Sequence, residues 1–536
     1  MTLHPRDRTS VPADTAALAG AVMGPANPYR VIGDQLADLF VDVDFAALYL
    51  PHGRAAVSPS LLALVTLFQF LENVPDRQAA ELVRVRMDWK YALHLPLADP
   101  GFDFSCLCYF RRRLLEHEDE GRLFATVLAR LKALGLVRKR GKQRTDAIAV
   151  LGAVKELTAL ETVSETLRLA LRALAQAAPG WAEATMPVAY REAYERSQPD
   201  YRLRAVERAA ALLRVGEAGF WLLDQLGRGG LPAGVADLPA IATLRTVWAQ
   251  RYERSADGTV QVRQHLVDCA QRIVTPHDPG VRVGQKRGET WHGDKTHVTE
   301  TAESDQPNFI TSVLTANAAS GDTAALPPIR EQLADDDLLP AEQCVDSGYV
   351  SGAQLAQSQA AGIDLIGPPL EDTTANGLKI ADFQVDWEAQ QATCPAGQTS
   401  VKWRAKTERD GSSAVQIQFA AATCAACPLG PQCTTGHSGR SLHINEHYPL
   451  VVARRQEAQT AAFWQRMRAR PAIEATLSEL VRAHGLRRHR YRGDAKRQAE
   501  NGWKATACNL KRLARVLLRA AGQPQPPAAA AIMLRR

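Results

Sequence analysis

Long apolar runs are missing from this sequence. No stretch of its 536 residues approaches the ~20 uninterrupted apolar residues that cross a bilayer, so no membrane span is expected. The most apolar early piece, Ala16 to Met23, is short, follows Asp14 and has no basic flank. It does not read as a signal peptide, and a cytoplasmic protein is expected. Cysteine is scarce, at nine residues, which excludes a secreted disulfide framework. Charge of one sign is not in large surplus: 64 Lys and Arg face 58 Asp and Glu, a net +6. Internal repeats are absent. What remains is ordinary globular composition, 46% hydrophobic and 23% charged. That excludes a wholly disordered, collagenous or coiled-coil chain. At about 150 residues per domain the length predicts three or four domains.

The basic residues are unevenly placed. Between Ser478 and Arg519 twelve Lys and Arg face three acids, so this segment carries +9. Arg487, Arg488, Arg490 and Arg492 crowd its first part. A second cluster, Arg138, Lys139, Arg140, Lys142 and Arg144, puts five basic residues in seven. Such patches suit a polyanion, because each phosphate neutralised releases counterions. A solvated helix face or loop explains either patch equally well.

Residues 1–30 are rich in Pro and Ala without a clear period and read as a flexible arm. Residues 31–136 read as helical. Ser58-Pro59 is an N-cap followed by Pro at the first helical position. A later helix, preceded by Asp103-Phe104-Ser105, turns Leu107, Phe110 and Leu114 inward and Arg111, Arg112 and Arg113 partly outward. Short helices with one basic member fit a helix-turn-helix DNA-binding domain, while periodicity alone favours a plain helical bundle. Asp146 to Leu151 reads as a short buried strand within 137–155. Residues 156–280 read as an all-helical insertion. From His292 the period changes: strands at Lys295–Thr301, Phe309–Ala316, Gln343–Tyr349 and Ile363–Ile366 alternate with helices, a mixed α/β core over 281–368. Residues 369–450 are turn-rich, with candidate strands and a cysteine cluster. Residues 451–520 are helical again, broken at Pro471 and ended once at Gly485. Residues 521–536 read as a disordered tail.

Two acids sit at strand ends, Asp146 and Asp346. Carboxylates on adjacent strands, with a third from a packed helix, could bind Mg²⁺, a hard cation that prefers oxygen. Such a site serves phosphodiester cleavage or strand transfer. An isolated strand-end Asp is more often a cap or turn former. Cys424 and Cys427 have the spacing of a zinc knuckle, with Cys394 and Cys433 as further ligands and His437 as a substitute. Four reduced cysteines in a small β subdomain are the alternative.

Several phrases in order resemble the bacterial insertion-sequence transposases of the DDE class. They are Asp103-Phe104-Ser105 with Phe110-Arg111-Arg112-Arg113-Leu114, then Thr145-Asp146, and Trp291-His292-Gly293-Asp294-Lys295-Thr296-His297-Val298-Thr299-Glu300-Thr301. Next come Val345-Asp346-Ser347-Gly348-Tyr349 and Arg470-Pro471-Ala472-Ile473-Glu474. The last are Gly485-Leu486-Arg487-Arg488, Arg490-Tyr491-Arg492-Gly493 and Asn509-Leu510. The resemblance implies an RNase H-like core with a mixed sheet, a helical N-terminal DNA-binding domain, and two insertions, one all-α and one Cys-rich β. It implies Asp146, Asp346 and Glu474 as catalytic ligands of Mg²⁺ or Mn²⁺, and adds Lys295 and Arg470 as DNA contacts. Glu474 shares a helical spacing with Leu477 and Val481, which places it on an inward face. The implied activity is binding of terminal inverted repeats, cleavage of 3′ ends and strand transfer into target DNA, by a nucleoid-associated homodimer. The alternatives are a decayed DNA-binding regulator of its own element and a structure-selective nuclease. The sequence departs from the family at Met467, where Tyr is usual before Arg470 and Glu474, at Ala147-Ile148, at Asp294 and at Pro471.

Overall fold

The computed structural model describes residues 1–5, 10–195, 203–371, 377–407 and 413–522. Most of the tail expected over 521–536 lies outside the described residues. No described helix is long and apolar enough to cross a membrane.

Among the described residues up to 133 the regular elements are mostly helices. The central one is α1 (Pro59–Leu71), where twelve of thirteen residues are buried. Ser58 caps it, its Oγ accepting from Leu61 N, while Asp42 Oδ1 accepts from the Ser58 and Ser60 hydroxyls. Around α1 pack α2 (Ser105–Glu116) and α3 (Arg122–Ala133). The arm expected over 1–30 contains a helix, Ala13–Val22. The Thr15 hydroxyl donates to Leu95 O, and Ala19 and Met23 pack on Tyr91. Alanine's high helix propensity needs no apolar period, which is why periodicity missed it.

The sheet is mixed and has six strands. Strand β1 (Lys142–Leu151) lies at its centre. β2 (Arg282–Lys286) and β3 (Glu289–Thr301) form a hairpin. Its two turn residues, Arg287 and Gly288, have φ of 53° and 83°, the left-handed pair that suits a tight hairpin. β3 runs antiparallel to both β1 and β4 (Ile310–Asn317). On the other side β5 (Glu342–Cys344) lies parallel to β1, and β6 (Asp364–Ile366) parallel to β5. β1 begins four residues before the expected strand, so it takes in the end of the basic cluster.

Between β1 and β2 lies a largely helical insertion with its own apolar core, formed by Leu167, Leu171, Leu222, Leu244 and Trp248 among others. It is not wholly α. Tyr252–Arg254 and Val260–Val262 pair as a small hairpin, turning through Asp257-Gly258. Residues 377–445 carry a second small core, on the antiparallel strands Lys402–Thr407, Ser413–Gln418 and Ser441–Asn445.

Two C-terminal helices close the molecule. α4 (Ile473–His484) ends at Gly485, whose φ of 70° supplies the left-handed cap. α5 (Asp494–Ala520) runs between the sheet and the N-terminal helices. Its Trp503 is 1% exposed, lies 6.1 Å from the Phe70 ring and donates to Glu120 O. One apolar core therefore joins α1, α3, α5 and Phe309, the residue before β4. The N-terminal helices do not have a core to themselves.

Candidate active site

β1, β5 and α4 bring the three expected carboxylates onto one guanidinium. Arg470 stands in the turn before α4. Its Nη2 lies 2.7 Å from Asp146 Oδ2 and 3.8 Å from Asp346 Oδ2, and its Nη1 lies 3.6 Å from Glu474 Oε1. The two aspartates are held alike. Asp146 Oδ1 accepts from Ala147 N at 2.8 Å, and Asp346 Oδ1 accepts from Gly348 N at 2.9 Å. Each thus spends one oxygen on the backbone and turns the other toward Arg470. Burial raises the Asp146 carboxyl above the usual carboxylate range, against the pull of Arg470, and the charge of Asp346 adds to the rise. Glu474 differs from expectation. Its side chain is 68% exposed, because the buried stripe of α4 runs through Ile473, Thr476, Leu477 and Leu480, and Glu474 falls at its margin.

The frame behind these carboxylates is ionic and dry. Arg144, two residues before Asp146, donates to Glu300 Oε1 and to Ala469 O, both at 2.7 Å. Glu300 Oε2 accepts from the Thr476 hydroxyl at 2.6 Å. β1, β3 and α4 are therefore locked together one residue from Arg470. Beneath Asp346, His297 Nδ1 and the Tyr349 hydroxyl are 2.6 Å apart, and both residues are buried. Burial drives the His297 pKa down to about 4 and the Tyr349 pKa far up. The tyrosine therefore donates to a neutral imidazole and ties the turn after Asp346 to β3. The sequence signatures contained His297, Tyr349 and Glu300, and Arg144 stood in the basic cluster, yet nothing in spacing showed that they touch.

The expected DNA contacts divide. Arg112, Arg138, Lys139, Arg140, Lys142, Arg487, Arg488 and Arg492 are exposed, and Arg113 is half-buried. Arg111 is not available to DNA: it is 4% exposed and bonded to Gln69 and Asp76. Its helix turns it inward because two polar partners wait there. Arg490 is likewise an internal tie, donating to Val74 O and Asn73 Oδ1 over the Phe70 ring. Lys295 is held by Ser320 O and Asp322. Arg470 binds the three acids instead of facing outward.

Two family descriptions match the chain. Transposase DDE domain covers residues 393–514, which include Arg470 and Glu474. Transposase domain (DUF772) covers residues 19–113, the N-terminal helices. These two matches support an insertion-sequence transposase of the DDE type. A search of curated proteins finds no match.

Cys394, Cys424, Cys427 and Cys433 line one pocket in the small β region. Gln398 N and Arg440 N donate to the sulfurs of Cys394 and Cys424, each at 3.4 Å. His437 is exposed. Among the described residues, though, three metal-ligating atoms lie within 4.8 Å of one another at a single place, Glu479, His484 and Cys508.

Proposed function

We propose that this transposase binds the terminal inverted repeats of its element, cleaves their 3′ ends and joins them to target DNA, with Asp146, Asp346 and Glu474 holding Mg²⁺ or Mn²⁺. The observation that carries this reading is the meeting of all three carboxylates on Arg470. The donor set fits the ion. It is all oxygen, and burial together with Asp346 raises the Asp146 carboxyl beyond what Arg470 offsets, so a further cation would favour its charged form. When bound, the metal supplies charge neutralisation and an activated oxygen nucleophile.

The protein's own groups supply position. Backbone N–H groups fix one oxygen of each aspartate, so the other keeps its direction. Arg144 and Glu300 hold the start of α4 against β1. Arg470 keeps three like charges together, and its planar guanidinium suits a phosphate oxygen of the DNA backbone. The strand order β4-β3-β1-β5-β6, antiparallel on one side of β1 and parallel on the other, supports an RNase H-like core. The exposed bases Arg112, Lys139, Arg487, Arg488 and Arg492 are available to phosphates of double-stranded DNA. A homodimer follows from the need to hold two ends. The four cysteines that line one pocket are read as the ligands of a structural Zn²⁺.

The test uses purified protein and a plasmid carrying the gene with its flanking DNA, in Mg²⁺, with Asp346→Asn in parallel. New 3′ ends at an inverted repeat, and junctions to target DNA, are expected for the unsubstituted protein alone. Binding to the flanks without metal-dependent ends would shift the reading to a DNA-binding regulator. Ends without junctions would leave a nuclease.

A further inference from the structure

Away from the carboxylates that meet on Arg470, α4 and α5 face each other across a small group of ligand-bearing side chains. Glu479 and His484 come from α4 and Cys508 from α5, and one ligand atom of each lies within 4.8 Å of the others. His484 and Cys508 are 0% exposed. Cys508 sits among Val150, Ile310, Leu477 and Leu480.

The decisive group is His484. Its Nδ1 lies 3.1 Å from Phe70 O, while its Nε2 is buried with no hydrogen-bond partner. An unpartnered polar atom in a dry interior is costly and calls for a reason. Burial drives the imidazole pKa down to about 4, so the ring is neutral. With Nδ1–H given to the carbonyl of Phe70, Nε2 presents a bare lone pair. Ligation through one ring nitrogen, with the other donating to a backbone carbonyl, is how metal-binding histidines are commonly oriented.

We propose that Glu479, His484 and Cys508 form a structural site for one Zn²⁺ ion. Thiolate, imidazole and carboxylate together suit zinc better than Mg²⁺ or Ca²⁺. Glu479 is ready as a ligand. Lys511 and Arg512 hold its carboxyl down to about 2 although burial opposes them. Arg512 donates twice to Oε2, from Nη2 at 2.9 Å and Nε at 3.3 Å, while Oε1 accepts from Lys511 at 2.8 Å, which leaves a lone pair on Oε1 for a metal. Cys508 is a thiol in the apolar interior, pushed up to about 12 chiefly by burial. Binding therefore replaces its S–H bond by an S–Zn bond and releases one proton to solvent. The bound ion would clamp α4, which carries Glu474, to α5, with Phe70 of α1 behind the imidazole.

Metal content separates this site from the four-cysteine pocket. The full chain, purified with Zn²⁺, is assayed beside Cys508→Ser, His484→Gln and the double variant Cys424→Ser/Cys427→Ser. One equivalent fewer is expected in Cys508→Ser and in His484→Gln, whatever the four-cysteine pocket holds. Zinc content equal to that of the unsubstituted chain in both would overturn the proposal. Should either variant lose its far-UV circular dichroism, a second measurement decides. Co²⁺ is titrated into the folded Cys424→Ser/Cys427→Ser chain. One equivalent giving a thiolate-to-cobalt charge-transfer band supports the site, and absence of that band overturns it.

Discussion

Arg470 and Asp146 stand 324 residues apart in sequence and 2.7 Å apart in space. The pairing makes the protonation of the buried acid depend on a residue from the far end of the chain. Arg470 pulls the Asp146 carboxyl down, and burial pushes it up further than Arg470 can offset. Removing the guanidinium lets it rise more. In Arg470→Gln the acid limb of Mg²⁺-dependent cleavage should move to higher pH, because the carboxylate form then needs a less acidic solution. The measurement is cleavage rate against pH. A limb that stays in place would show that Asp146 does not govern it.

Arg144 and Glu300 are an ion pair taken out of water, with side chains 4% and 0% exposed. Breaking such a pair strands a charge and costs about 3–5 kcal/mol. Glu300→Gln should lower stability toward that range, read from denaturant unfolding. The Ala469 carbonyl that Arg144 holds should also loosen, so strand transfer should fall further than DNA binding does. Equal losses in both would assign the pair a purely global role.

His489 is wedged between carboxylates, 3.1 Å from Asp294 and 3.5 Å from Glu500, with Arg497 and Lys504 bonded to the same acids. Burial lowers its pKa, but the two acids outweigh burial and the net shift is upward. A histidine whose pKa is raised on folding stabilises fully below its unfolded value, ~6.5. That contribution fades as pH climbs through the folded value. The unfolding midpoint should therefore fall from about pH 6.5 upward in the unsubstituted protein, and fall less in His489→Gln. Parallel pH profiles for the two proteins would refute the assignment.

Trp503 fills the seam between the N-terminal helices and the sheet. Truncation to alanine should cost about 3–5 kcal/mol. Because the core is shared, α1 and the sheet should still lose structure in one transition, followed by circular dichroism and by hydrogen exchange in α1. Two separated transitions would mean that the helices fold alone.

Much of this arrangement is legible along the chain. Ser58-Pro59 and Gly485 mark helix ends by their local chemistry, and the alternation at Lys295–Thr301 marks β3. The structure answers where local rules stop. Arg111 and Arg490 look like surface bases until Asp76, Asn73 and Val74 are seen to receive them. Glu474 shares a helical spacing with Leu477, yet the helix rotates it outward, because Thr476 must reach Glu300. The helix at Ala13–Val22 has no amphipathic period, and its burial is set by Tyr91 and Leu95. In each case the deciding partner lies tens to hundreds of residues away.

The shared core also has a consequence for synthesis. A ribosome delivers α1 early and α5 some 420 residues later. Until Trp503 emerges, the face of α1 that it covers stays open to solvent, and Asp146 waits for Arg470. An interrupted translation product would expose apolar surface to chaperones and proteases while lacking the turn that gathers the acids. Completion of the polypeptide thus acts as a safeguard: no shorter fragment holds both the shared core and the acids gathered on Arg470.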